Sequence, residues 1–316
     1  STSVAEQIGK GGRFKTPIVE STGTGGGFKI FCEGVGERTP DFANASRPMK
    51  KSEFEMCARN GVTSITEVMI GFDGITLAHK KSGHTVNMSL HMIFRALAKE
   101  VPDDRGNLIP IPYRKWSDIN PGLPNVKIEV LGPPPTSGTR DAFVELAMHV
   151  GCGQISSLAA LKQTDKRRYK NVCSAMRTDG AFVEAGENDN VIVQKLIANP
   201  HAFGIFGYSF LAENDNKLRG VHVAREPGVA FVEPSFVTIA AGAYPLSRPI
   251  FFYVKNQHVS IVPGMKEYVA EFMSLRAAGS NGYLARHGLV PLPPSMRTQK
   301  AADALTLTPL SGNALK

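Results

Sequence analysis

The chain has 316 residues, of which 42% are hydrophobic and 20% charged, with 31 glycines and 21 prolines. That balance excludes intrinsic disorder, a collagen-like repeat and a coiled coil, and the length predicts two globular domains that each bury a core. The formal charge of +8 favours anionic partners, and no apolar run reaches the roughly 18 residues of a membrane span.

Ser1-Thr2-Ser3-Val4 lacks the basic, apolar and small-residue pattern of an export signal. The expectation is a soluble chain from which any signal has been removed. Val4 to Lys10 reads as the end of a helix stopped by Gly11-Gly12, and Thr16 to Glu20 as a strand. That strand would enter the turn Ser21-Thr22-Gly23-Thr24-Gly25-Gly26-Gly27, with an apolar helix starting at Phe28. A strand, a Gly/Ser/Thr loop and a helix start aim backbone N–H groups at an anion.

Phe42 to Pro48 reads as a short strand ending in a turn, which sets Ser46 and Arg47 at the strand's end, and Ser52 with Glu55 has capping-box spacing. Thr66 to Ala78, broken by Gly71 and Gly74, predicts adjacent buried strands. Leu90 to Val101 predicts a helix and Val126 to Leu131 a strand, which runs into Gly132-Pro133-Pro134-Pro135-Thr136-Ser137-Gly138-Thr139-Arg140-Asp141 and a further helix. Here Ser137 is placed to cap, the N–H groups of Gly138 and Thr139 are free in the first turn, and Arg140 adds a bidentate charge. Neutral donors with one guanidinium suit a tetrahedral oxyanion.

A helix over Asn190 to Ala198, strands at Phe203 to Tyr208, Val221 to Ala224 and Ile250 to Val254, and a helix over Lys266 to Ser274 complete an alternating α/β pattern. The tail from Leu289 is punctuated by proline and predicts an extended surface segment.

Cys32, Cys57, Cys152 and Cys173 lack the CxxC spacing of zinc or thioredoxin-type sites and read as two disulfides. Three connectivities are open; pairing Cys32 with Cys57 and Cys152 with Cys173 closes two short loops. Either way an oxidising compartment is favoured.

Competing chemistries fail on spacing. A P-loop needs Lys followed by Ser or Thr, but Lys29 is followed by Ile30; the dinucleotide fingerprint needs glycine where Phe28 stands. A Ser-x-x-Lys pair would need lysine at Met49 or Arg140. His79, His84 and His91 form no metal motif, so no metal or cofactor is expected, and Lys166-Arg167-Arg168 with Tyr169 is a solvated helix face rather than a nucleic-acid site. Three donor loops at strand ends are where open α/β sheets bind ligands.

Those loops, Val19 to Gly27, Asp41 to Met49 and Thr136 to Phe143, resemble the phosphate-binding proteins of bacterial ABC importers, the PstS family. The resemblance continues through Arg177 to Gly180, Glu184 to Asn190 and Ala202 to Tyr208. It implies a type II periplasmic binding protein: two α/β domains, 1–73 with 249–316 and 74–248, joined by crossover strands near Gly71 to Thr76 and Tyr244 to Ile250. Inorganic phosphate would sit in the cleft, for delivery to a membrane permease by a periplasmic, monomeric, non-catalytic receptor.

By motif, Thr24, Ser46, Arg47, Ser137, Gly138, Thr139 and Arg140 are the implied ligand residues. Two departures stand out. The upstream Ser-Ser-Thr loop and first strand of many members have no counterpart in this sequence, which leaves open whether Ser1 and Thr2 are a remnant or the piece was cleaved, left out or supplied as another segment. An aspartate that accepts the proton of hydrogen phosphate is replaced by Arg47, which makes Asp141 the candidate acceptor. The alternative reading is a phosphate- or sulfate-ester hydrolase using the same cradle, with Asp179, Glu184 or His201 as acid or base.

Overall fold

The strand Ser247–Lys255 shows why the chain folds in layers. Phe251 and Tyr253 enter one apolar cluster with Phe28, Phe31, Ala43, Ala45 and Met49, while Phe252 and Val254 enter another with Val68, Val269 and Phe272. A strand apolar on both faces needs cover on both faces, and helices supply it. In this computed structural model every residue is described except Ser21, His84, Thr85, Glu187 and Lys316. Packing divides the chain into two units, Ser1–Asp73 with Arg248–Lys316, and Gly74–Ser247.

The first unit contains α1 (Thr2–Lys10), α2 (Gly23–Phe31), β1 (Phe42–Ala45), α3 (Lys51–Arg59) and the first part of β2 (Ile65–Lys80). In the second unit β2 continues, followed by β3 (Val130–Gly132), α4 (Gly138–Phe143), β4 (Phe182–Glu184), α5 (Asp189–Ala198), β5 (Phe203–Gly207) and β6 (Leu218–Gly220). The chain returns to the first unit through β7 (Ser247–Lys255), α6 (Met265–Met273), β8 (Val290–Pro291) and α7 (Pro294–Leu305).

Within the first unit the strand order is β1-β7-β2, with β1 antiparallel to β7 from Phe42 opposite Val254 to Ala45 opposite Phe251, and β8 antiparallel to β2 at Phe72 and Gly71. Within the second the order is β2-β5-β3-β4. There β2 is antiparallel to β5 from Ile75 opposite Gly207, whereas β3 is parallel to both β5 and β4. Ala78, Leu131 and Phe206 form one apolar cluster of this unit with Ile192 and Leu196 of α5.

Several elements depart from expectation. Gly71 and Gly74 do not break β2, which is one continuous strand: a Cβ at Gly71 would stand 2.6 Å from the Val290 carbonyl, and one at Gly74 2.8 Å from Ile239. These glycines admit close neighbours instead of turning the chain. Thr16 to Glu20 forms no strand, and Ile18, 90% exposed, has nothing to pack against. The tail is not a surface segment: Val290 and Leu292 are buried, and Pro294 opens α7, where its fixed φ and missing N–H are tolerated. The helix from Leu90 ends at Leu97, and the strand expected from Val126 starts at Val130.

Disulfides join Cys32 to Cys57 and Cys152 to Cys173, each within one unit. Among the described residues no helix is long and apolar enough to cross a membrane.

Candidate functional site

In the first unit the glycine-rich segment is not a turn before a helix but the helix itself, since α2 begins at Gly23 and carries Thr24 in its first turn. Ser21, placed by the sequence in the same loop, lies outside the described residues. The Thr24 hydroxyl oxygen accepts the N–H of Ser46 at 3.1 Å and shares a second hydrogen bond with the Ser46 hydroxyl at 3.1 Å. Two hydroxyls separated by 22 residues in sequence are thus brought together at the start of α2 and the end of β1. Beside them, Ser1 stands at the N-cap position of α1 without a side-chain cap, and its hydroxyl donates to Asn44 Oδ1 at 2.6 Å.

Arg47 belongs to a partnership the sequence did not reveal. Its Nη1 and Nη2 reach the two carboxylate oxygens of Glu53 at 2.8 and 2.6 Å, and Nη1 also donates to the Pro48 carbonyl at 3.0 Å. The guanidinium lies over the Phe28 ring at 5.6 Å. Glu53 also accepts the Lys50 N–H at 2.9 Å, so it, and not Glu55, reaches back from the third position of α3. Burial alone would raise the Glu53 carboxyl, but the Arg47 guanidinium and Lys50 N–H outweigh it and hold the group below its ordinary value.

In the second unit, β3 leads through the proline run into α4, which continues as a π-turn over Val144–Met148 and a helix over His149–Gly153. Ser137 caps α4: its hydroxyl accepts the Thr139 N–H at 3.3 Å, so that donor is partly engaged rather than free. The first intrahelical bond runs from the Asp141 N–H to the Ser137 carbonyl at 3.1 Å, and the N–H groups of Gly138 and Arg140 therefore precede the ladder.

Arg140 donates to the Pro133 carbonyl at 3.1 Å and lies 4.5 Å above the Phe182 ring centre. A Cβ at Gly132 would stand 2.7 Å from that ring, so glycine is what lets Phe182 lie beneath the guanidinium. Burial lowers the Arg140 pKa, opposed by the carboxylates of Glu184 and Asp141. Asp141 itself is exposed in the first turn of α4.

The candidate acid and base residues are unsuited to catalysis. Arg177, buried, grips Asp179 with Nε and Nη2 at 2.8 and 2.7 Å, and Arg114 pairs with the same carboxylate. The Arg177 hydrogen bonds hold Asp179 far below its ordinary value, the opposite of what a general acid needs. Glu184 and His201 are exposed, and no metal-binding cluster occurs among the described residues. His84 and Glu187 lie outside the described residues.

Each unit therefore offers one strand-end loop in which hydroxyls, helix N–H groups and a single guanidinium gather. Strands flanked by helices in two units make the fold of a type II periplasmic binding protein. Residues 3–276 match the PBP superfamily domain. The chain belongs to that superfamily, and its similarity extends to named relatives. Protein SphX of Synechococcus elongatus is 30% identical over all of this chain and 81% of its own length. The phosphate-binding protein PstS of Staphylococcus saprophyticus is 29% identical over 84% of this chain and 69% of its own. The crystal structure of a possible phosphate binding protein from Planctomyces limnophilus superposes with a TM-score of 0.72 at 26% identity, covering 96% of this chain and 93% of that one.

Proposed function

We propose that this chain binds inorganic phosphate and delivers it to an ABC-type membrane permease, as a periplasmic or extracellular receptor acting as a monomer. The observation that carries the reading is the start of α4, where a serine-capped helix presents unladdered N–H groups beside a guanidinium stacked on Phe182. Thr24, Ser46 and Arg47 in the first unit and Ser137, Gly138, Thr139 and Arg140 in the second are the proposed ligand residues, hydroxyls and N–H groups replacing an anion's water and Arg140 supplying charge. Because Glu53 already occupies the two terminal nitrogens of Arg47, that residue contributes mainly by shaping its loop.

The chain is a binding protein and not an enzyme, in keeping with its family and with the fully engaged Asp179. Asp141 is the proposed acceptor for the proton of hydrogen phosphate, a proton that fully ionised sulfate does not offer. Titration of the phosphate-stripped chain with phosphate and with sulfate, repeated on Asp141→Ala, which has no side-chain acceptor, tests both parts. Unchanged phosphate affinity and unchanged discrimination against sulfate in Asp141→Ala would remove Asp141 from the account, and absence of phosphate binding would remove the function.

A further inference from the structure

The loop that follows β1 is fastened by Tyr253 and Glu67, neither of which is among the proposed ligand residues. Alternation along β7 sends Tyr253 to the same side as Phe251, into the cluster containing Phe28, Ala45 and Met49. Alternation along β2 places Glu67 on the face of Ile65, another member of that cluster, and β2 neighbours β7. The Tyr253 ring is buried and meets Phe28 edge-on at 4.9 Å. Its hydroxyl donates to Glu67 Oε2 at 2.5 Å and accepts the Met49 N–H at 2.7 Å.

We infer that the Tyr253 hydroxyl, oriented by Glu67, is a positioning device that fixes the Ser46–Met49 loop for anion binding; this rests on the phosphate reading given above. The direction of the bonds makes the assignment specific. An ionised carboxylate only accepts, so Glu67 takes the phenolic hydrogen and leaves an oxygen lone pair for Met49. Burial and the Glu67 carboxylate both raise the Tyr253 pKa, which keeps the hydroxyl protonated and able to donate. Met49 is the third residue after Ser46, and its side chain is 2% exposed. An anchor on its N–H therefore limits how far Ser46 and Arg47 can swing from Thr24 and Phe28.

The two anchoring strands are also those whose chain runs on from the first unit into the second. Without the hydroxyl, the buried Met49 N–H would lack its acceptor and the loop would shift to find another.

The test uses the full chain with Tyr253→Phe, Glu67→Leu and Glu67→Gln. Calorimetric titration with inorganic phosphate reads affinity, and amide hydrogen exchange at Met49 in the ligand-free protein reads the anchor directly. We expect Tyr253→Phe and Glu67→Leu to weaken phosphate binding about tenfold, the scale of one buried hydrogen bond, and to speed exchange at Met49. Glu67→Gln, whose amide oxygen still accepts, restores affinity relative to Glu67→Leu. Unchanged affinity in folded Tyr253→Phe, or equal weakening by Gln and Leu at position 67, overturns the inference. A wild-type chain that ignores phosphate would instead sink the functional reading, and the Met49 exchange rates would then still decide whether the hydroxyl anchors the loop.

Discussion

Replacing Arg140 by alanine removes two separable interactions, and the structure sets the scale of each. The guanidinium stacks on Phe182 at 4.5 Å and donates to the Pro133 carbonyl at 3.1 Å. A cation–π contact of this partly exposed kind contributes about 0.5–1 kcal/mol and the charged hydrogen bond to the Pro133 carbonyl about 1.5–3 kcal/mol, so folding stability should fall by about 2–4 kcal/mol, with alanine's higher helix propensity offsetting part of it. The loss in binding is measured separately. A hydrogen bond to a charged group contributes about 1.5–3 kcal/mol, which corresponds to phosphate binding weaker by about ten- to a hundredfold. Arg140→Lys keeps the charge but loses the planar fork and the stacking, and should fall between the two. Calorimetric titration with phosphate and urea denaturation of the same preparations measure both effects. Wild-type affinity in a folded Arg140→Ala chain would show that the start of α4 does not hold the anion, and a collapse of stability would show that the arginine is structural.

Gly132→Ala should displace the Phe182 ring, 2.7 Å from the added Cβ, and weaken phosphate binding with a stability loss of about 1–3 kcal/mol; titration and denaturation check this together. On the acid side, Glu53 and Asp179 have folded-state pKa values below their ordinary 4.5 and 3.8. The stability they add is therefore present above those ordinary values and lost as pH falls through the depressed ones. Thermal midpoints followed downward from pH 6 should drop, and Asp179→Asn should flatten that drop; an unaltered slope would contradict the assignment. Removing the Cys32–Cys57 bridge, which spans 25 residues, should cost about 3.5 kcal/mol by the chain-entropy relation, read as a lower denaturation midpoint for Cys32→Ser with Cys57→Ser.

What the sequence made legible was local chemistry. Ser137 could be placed as a cap because a cap involves residues two or three apart, and the Ser137–Thr139 bond is such a contact. β7 was visible as a strand because the apolar run Ile250 to Val254 needs no partner to be recognised. Pairings between distant residues were not visible: Tyr253 and Glu67 lie 186 residues apart, and nothing near either one signals the other. The glycines of β2 show the same limit, since Gly71 reads as a breaker until the Val290 carbonyl lies against it. Arg47 was legible as a charge at a strand end but not as the partner of Glu53. The spacing of six residues crosses from loop to helix, and only the fold of Lys50 to Glu53 makes them meet. Pro294 looked like an obstacle to structure, yet at a first helical position it is an asset.

The most direct measurement is calorimetric titration of the purified, phosphate-stripped chain with inorganic phosphate and then with sulfate, at a pH on either side of the second phosphate pKa. The account predicts saturable one-to-one binding of phosphate and much weaker binding of sulfate. No binding of phosphate at millimolar concentration would contradict it.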